Sequence, residues 1–97
     1  DLRVAVPEAR FFYPVMARGF LPQPSDPRRL AALVGPARAK LILMAGQKWS
    51  ADQALDFGLI DQITETPVET ATGIATAALS ASPDHIAAIK ALNPAQL

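Results

Sequence analysis

Cysteine is absent from the 97-residue sequence, which excludes a disulfide framework and a thiolate metal site. Neither sign of charge is in excess, since nine basic residues balance nine acidic ones, and no basic cluster contains aromatic residues. Nucleic acid is therefore excluded as an expected partner. No apolar run approaches the roughly 20 residues that a membrane span needs, and the first residues are not typical of a secretory leader. We expect a cytoplasmic protein with no membrane contact and no metal site.

Apolar residues are the abundant class, because 51% of the chain is hydrophobic and 19% is charged, which favours a packed core over disorder. The length allows one domain. Residues 2–6 alternate apolar and polar side chains as a strand does, and Pro7 stops the pattern. A single strand followed by short helices would be only marginally stable at this size. We therefore expect the chain to be a fragment of a larger assembly.

The segment 11–27 has few conformations open to it. It holds four prolines and four of the six aromatic residues, and it shows no helical period. Extended, turning backbone is the conformation that this pattern predicts. Such a segment can line a ligand pocket, or it can fill a core beneath a loop, which is the more frequent role of apolar residues.

Two short helices are predicted after this segment. Asp26 is a good N-cap with Pro27 at the first helical position, and Gly35 follows the last helical residue. Pro36 begins the second helix, which Gly46 closes. The pattern therefore predicts a second helix that follows the first at once.

A third helix has the clearest local signature in the chain. Ser50 and Gln53 have the spacing of a capping box, in which each side chain bonds a free amide of the first turn. Gly58 supplies the left-handed stop. We expect Trp49 to pack against the helix that it precedes.

The last third of the chain predicts a short edge strand at 60–63 and two further helices. Thr66 and Glu69 have the spacing of a second capping box, and the helix is expected to run to about Ala81. One apolar face of that helix consists of Ala71, Ile74, Ala75, Ala78 and Leu79. The final helix is marked by a cap at Ser82, a buried side at Ile86, Ile89 and Leu92, and an end at Asn93-Pro94.

The ordered set of these signals resembles the crotonase family, the enoyl-CoA hydratase/isomerase superfamily. The features that carry the resemblance are Asp1, Ala9-Arg10-Phe11, Pro14, Gly19, Pro22, Arg29-Leu30, Val34-Gly35, Ala39, Gly46, Ser50-Ala51, Ala54 and Gly58-Leu59-Ile60. The resemblance implies an α/β fold, the crotonase-like ββα spiral, with residues 1–97 as its mostly helical C-terminal part. A strand and pocket loop would occupy 1–27, and the helical region would occupy 28–97.

The resemblance also implies an activity and partners. The family processes acyl-CoA thioesters in fatty acid metabolism, as lyases or isomerases, through an enolate held in an oxyanion hole. Coenzyme A enters as part of the substrate, and no cofactor is implied. The oxyanion hole and one catalytic acid would be supplied by the N-terminal half of the same enzyme, and the whole would form a homo-trimer or hexamer.

The sequence departs from the hydratase pattern at the expected site. Val15 stands where hydratases carry their second catalytic glutamate, so a one-base reaction such as isomerisation is favoured over hydration. Gln23 matches an aspartate of some isomerases and dehalogenases and cannot act as a base. Asp26 is the only carboxylate of the loop and a weak candidate base, with helix capping as the stronger interpretation. The residues expected to line an acyl pocket are Phe12, Val15, Phe20, Gln23 and Ser25.

His85, the only histidine, is expected to be an exposed surface residue without a chemical role. The alternative to an enzyme is a non-catalytic crotonase-like or helical interaction module, which lacks the acid because it performs no chemistry.

Overall fold

The computed structural model describes residues 2–92, which form six helices and four two-residue strands. In chain order these are β1 (Val4–Ala5), β2 (Arg10–Phe11), α1 (Val15–Arg18), α2 (Asp26–Val34), α3 (Pro36–Leu43), β3 (Trp49–Ser50), α4 (Ala51–Phe57), β4 (Gln62–Ile63), α5 (Pro67–Leu79) and α6 (Pro83–Leu92). The features expected at Asp1 and at Asn93-Pro94 lie outside the described residues.

The strands form two separate pairs that join distant parts of the chain. β1 pairs with β4 in parallel, and β2 pairs with β3 in antiparallel orientation. The first pair is reinforced by Arg3, whose backbone N–H donates to Asp61 Oδ2 at 2.8 Å and whose Nε donates to the Leu59 carbonyl at 2.6 Å. The strands predicted within 2–6 and 60–63 are confirmed, and they are each other's partner.

The core lies where the α2–α3 hairpin meets β3. Its buried members are Val34, Ala39, Ile42, Leu43 and Trp49. Trp49 is 1% exposed, and its ring meets the Phe57 ring edge to face with centroids 5.0 Å apart. Such aromatic pairs add to the stabilisation from burial alone. The prediction that Trp49 packs against the helix that follows it is confirmed.

α4 begins and ends as its sequence predicts. Ser50 Oγ accepts from the Gln53 N–H at 3.1 Å, and Gln53 Oε1 accepts from the Ser50 N–H at 3.0 Å, which is the complete capping box. Gly58 follows with φ +88°, the left-handed conformation that a β-carbon disfavours. A β-carbon there would lie 2.9 Å from the Leu33 carbonyl oxygen, so the close approach of the α2 end also requires glycine.

The prediction of extended, turning backbone over 11–27 is wrong at α1 and at the end of the segment, where α2 already begins at Asp26. Val15–Arg18 forms a single helical turn, α1, between Pro14 and Gly19. The turn closes because Gly19 adopts φ +68°, and the Phe20 N–H donates to the Val15 carbonyl at 3.0 Å. Proline before a helix and glycine after it are compatible with helical structure, and this pattern outweighed the absence of a helical period.

Two predicted caps are also wrong. Asp26 is the first helical residue of α2, Ser25 occupies the N-cap, and no side chain caps that end. The Asp26 carboxylate instead accepts a hydrogen bond from Tyr13, which competes for the same oxygen atoms. Thr66 is the N-cap of α5, but its side chain makes no cap hydrogen bond. The Thr66 N–H, from which Glu69 would accept in a capping box, donates to Thr64 Oγ1 at 3.1 Å instead.

The apolar faces of α5 and α6 are largely exposed within the described part of the chain. Neither helix contains a buried residue, and α5 ends at Leu79, two residues before the predicted end. Ile86, Ile89 and Leu92 are 38%, 58% and 82% exposed, so the predicted buried side of α6 is wrong within residues 2–92. Periodicity correctly indicated helices, and α5 contacts β1, but no residue of either helix is buried within the described part of the chain. Within the same residues no helix is long and apolar enough to cross a membrane.

Candidate functional site

An apolar cavity of about 370 Å³ lies between the loop around α1 and the α2–α3 hairpin. The loop contributes Val15, Met16, Phe20, Leu21 and Pro22 to one wall. Side chains of the hairpin form the opposite wall, from Pro27 to Met44, and Lys40 is the one charged residue among those that line the cavity. Such a cavity suits an apolar chain of modest length.

The loop wall holds large apolar side chains in a solvent-accessible position. Phe20 is 67% exposed, Leu21 is 93% exposed and Met16 is 55% exposed. The single turn of α1 and the left-handed Gly19 direct the chain so that these residues follow one another along the cavity. Contiguous exposed apolar surface of this kind marks a ligand or protein contact.

A second cavity of about 320 Å³ opens on the other side of α1. Phe12 and Tyr13 line it together with two cationic residues, Arg18 and Lys48. Lys48 Nζ lies 5.1 Å from the centroid of the Phe12 ring, within the range of a cation–π contact. Met16 borders both cavities, so the two are neighbours.

The polar centre of the loop is a pair formed by Tyr13 and Asp26. The Tyr13 hydroxyl donates to Asp26 Oδ2 at 2.5 Å, and the same hydroxyl oxygen accepts from the Gln23 N–H at 3.4 Å. The hydrogen bond to Asp26 raises the pKa of Tyr13 above its ordinary value of 10.0, because it stabilises the protonated hydroxyl. Asp26 is partly buried beneath this contact.

The residues expected to line an acyl pocket are not all on one surface. Val15 and Phe20 line the first cavity, and Phe12 lines the second. Gln23 and Ser25 line neither of these two cavities, and they are exposed in the turn that leads into α2. The assignment of all five to an acyl pocket stays a prediction.

Tyr13 is the residue that sequence reasoning missed. Its partner Asp26 was singled out as the loop's only carboxylate, whereas the hydroxyl thirteen residues earlier had no local signature. A buried or half-buried tyrosine usually finds a partner for its hydroxyl, and this rule would have directed attention to the pair. His85 is exposed in α6, as expected. Residues 2–92 contain no group of three or more acidic, histidine or cysteine side chains that could hold a metal ion.

Comparison with known proteins gives consistent matches. The sequence profile of the enoyl-CoA hydratase/isomerase family matches residues 1–97. The short-chain-enoyl-CoA hydratase of Clostridioides difficile is 35% identical over 68 residues, which are 70% of this chain and 44% of that protein. The enzyme of the same name from Clostridium acetobutylicum is 35% identical over 85 residues, which are 86% of this chain and 33% of that protein.

A solved structure agrees with these relatives. The structure of Pseudomonas aeruginosa DspI is similar to this chain with a TM-score of 0.87 at 31% identity, over 95% of this chain and 38% of that one. The chain thus spans less than half the length of each of these proteins. The matched profile and the similar structures agree on one family and one fold, the crotonase fold. The chain belongs to the enoyl-CoA hydratase/isomerase family.

Proposed function

We propose that this chain forms the acyl-binding wall of an acyl-CoA enzyme and works together with the N-terminal half of the same protein. The observation that carries the proposal is the apolar cavity of about 370 Å³, whose loop wall presents exposed Phe20 and Leu21. An acyl chain gains roughly 0.8 kcal/mol for each CH₂ group that it buries in such surroundings. The substrate would be a CoA thioester, which fits a family whose relatives include short-chain-enoyl-CoA hydratases.

The chemistry proposed for the complete enzyme begins with an enolate of the thioester. Backbone amides from the N-terminal half would stabilise the oxyanion, and a carboxylate from that half would move the proton. Val15 borders the cavity at the position proposed for a second acid, and its side chain can neither donate nor accept a proton. A one-base reaction, such as the isomerisation of a double bond, is therefore favoured over the two-carboxylate hydration.

The proposal also covers the cofactor, the oligomeric assembly and the cellular setting of the enzyme. No resident cofactor is needed, because the thioester itself activates the substrate. The proposed assembly is a homo-trimer or hexamer, in which other surfaces would cover the exposed apolar faces of α5 and α6. Cytoplasmic fatty acid metabolism is the proposed setting.

The experiment that tests this function uses the full-length protein that contains the chain. Purified protein is assayed with crotonyl-CoA for hydration and with a 3-enoyl-CoA for isomerisation. We expect isomerisation to be at least tenfold faster than hydration, and we expect Val15→Glu to raise hydration, since a positioned acid contributes about 10²–10⁴-fold. Val68→Glu is the matched control, because Val68 is 78% exposed on α5.

Two outcomes would contradict the proposal at different levels. Fast hydration of crotonyl-CoA by the wild-type protein would overturn the one-base reaction while leaving the acyl-CoA substrate in place. Absence of acyl-CoA binding, with no change of activity in Val15→Glu or Asp26→Ala, would favour a non-catalytic interaction module. The exposed apolar faces of α5 and α6 are the observation that favours this second candidate.

A further inference from the structure

The loop wall of the apolar cavity is closed by a hydrogen bond between its two ends. Tyr13 precedes the loop and Asp26 follows it, and their side chains are joined at 2.5 Å across thirteen residues of sequence. The Tyr13 hydroxyl oxygen also accepts from the Gln23 N–H inside the loop. One hydroxyl group therefore connects the start, the interior and the end of the segment 14–25.

Few other contacts fix this segment: from residue 14 to Leu21 only Pro14 and Val15 are half-buried, and Val15 packs against the core. α1 is one turn of four residues, and none of them is buried. The residues that follow α1 are exposed as far as Leu21. A segment with few buried contacts opens at low free energy unless a specific bond holds it. The bond between Tyr13 and Asp26 is of the stronger class, because its acceptor is a carboxylate.

The aromatic ring and the hydroxyl of Tyr13 have separable roles. The ring packs against the core cluster that contains Val34 and Trp49, together with its neighbours Phe11 and Val15. The hydroxyl reaches away from that core to Asp26. Replacement of Tyr13 by phenylalanine therefore removes the connection across the loop and leaves the apolar packing in place.

We propose that Tyr13 and Asp26 form a clasp that holds segment 14–25 against α2, so that Tyr13 is a positioning residue for the acyl chain of the substrate. The side chains that the clasp positions are Val15, Met16, Phe20 and Leu21, which form the loop wall. Tyr13 acts through this wall and is not itself among the residues that line the cavity. The identity of the ligand rests on the proposed function, whereas the clasp itself does not.

The first test measures the clasp without any ligand. Hydrogen–deuterium exchange is followed in the full-length wild-type protein and in Tyr13→Phe. The Gln23 amide, which donates to the Tyr13 hydroxyl, and its neighbours in 14–25 should exchange about tenfold faster in the variant. The amides of α4 should be unchanged. Equal exchange of segment 14–25 in the two proteins would overturn the proposal.

A rescue variant separates the clasp from a general loss of structure. In Asp26→Asn the amide oxygen can still accept from the Tyr13 hydroxyl, whereas Asp26→Ala offers no acceptor. We expect slow exchange to persist largely in Asp26→Asn and to be lost in Asp26→Ala. Asp52→Asn is the matched control, because Asp52 is an exposed carboxylate in the first turn of α4. Fast exchange in the asparagine variant equal to that in the alanine variant would contradict the clasp.

The second test concerns the acyl chain. Dissociation constants are measured for acetyl-CoA and octanoyl-CoA with the same proteins. Tyr13→Phe should weaken octanoyl-CoA binding about tenfold and leave acetyl-CoA binding within about twofold, since only the longer chain reaches the loop wall. Equal weakening of both ligands would overturn the positioning role. If the wild-type protein binds neither thioester, the proposed function fails, and the exchange measurement still decides the clasp.

Discussion

Replacement of Gly58 by alanine should destabilise the protein through two separate effects. Gly58 has φ +88°. Holding a residue with a β-carbon in this left-handed conformation destabilises the folded state by about 1–2 kcal/mol. The new β-carbon would also lie 2.9 Å from the Leu33 carbonyl oxygen, which belongs to backbone and cannot rotate away. Forced overpacking of this kind costs about 1–3 kcal/mol. We therefore expect Gly58→Ala to lower the free energy of unfolding by about 2–5 kcal/mol.

Gly46 provides the control for this substitution. It has φ +67°, and a β-carbon there would meet nothing within 4 Å, so Gly46→Ala should cost the backbone part alone, about 1–2 kcal/mol. Urea unfolding of the full-length wild-type protein and the two variants, followed by tryptophan fluorescence, gives both values. If Gly58→Ala and Gly46→Ala lower the free energy of unfolding by amounts that agree within about 0.5 kcal/mol, the claim that the close approach to Leu33 requires glycine at position 58 is refuted.

Three further predictions concern contacts that the structure resolves. Ser50→Ala removes the oxygen that accepts a first-turn amide at 3.1 Å and should cost about 1 kcal/mol in urea unfolding, whereas Thr66→Ala removes no cap bond and should cost less than half of that. Trp49→Ala should cost about 3–5 kcal/mol in urea unfolding followed by circular dichroism, because the side chain is 1% exposed, and a loss below 1 kcal/mol would contradict its place in the core. The pKa of Tyr13 is raised by its bond to Asp26, so the folded state holds that proton more tightly than the unfolded state. The resulting stabilisation is complete below about pH 10 and is lost as the pH rises through the raised pKa, so wild-type protein should lose more stability than Tyr13→Phe as the pH rises above about 10.

Signals that act within a few residues could be predicted from the sequence. The capping box of Ser50 and Gln53 and the stop at Gly58 each involve neighbours in the chain, and all are present as predicted. The α2–α3 hairpin also follows from local chemistry, because Gly35 and Pro36 can end one helix and begin the next. These elements form the frame on which the candidate site is built.

Features that depend on distant partners could not be predicted in the same way. The bond between Tyr13 and Asp26 joins two residues that carry no shared pattern, and it replaces the helix cap that Asp26 alone would indicate. The apolar period of α6 correctly predicted a helix, but burial requires a partner surface that the period does not contain. Only the family resemblance predicts an acyl pocket at Val15, which lines the apolar cavity, since valine by itself indicates only an apolar environment; the acyl-pocket assignment stays a prediction.

The parallel pairing of β1 with β4 has a consequence for the order in which the chain folds during synthesis. Val4 pairs with Gln62, so β1 cannot meet β4 until a further 58 residues have been made. At about 5–20 residues per second, that interval is roughly 3–12 s on the ribosome. The α2–α3 hairpin and α4 need only local contacts and can form within it. Within the described residues, the β1–β4 pair is therefore among the last contacts to form, after the helices that lie between its two strands.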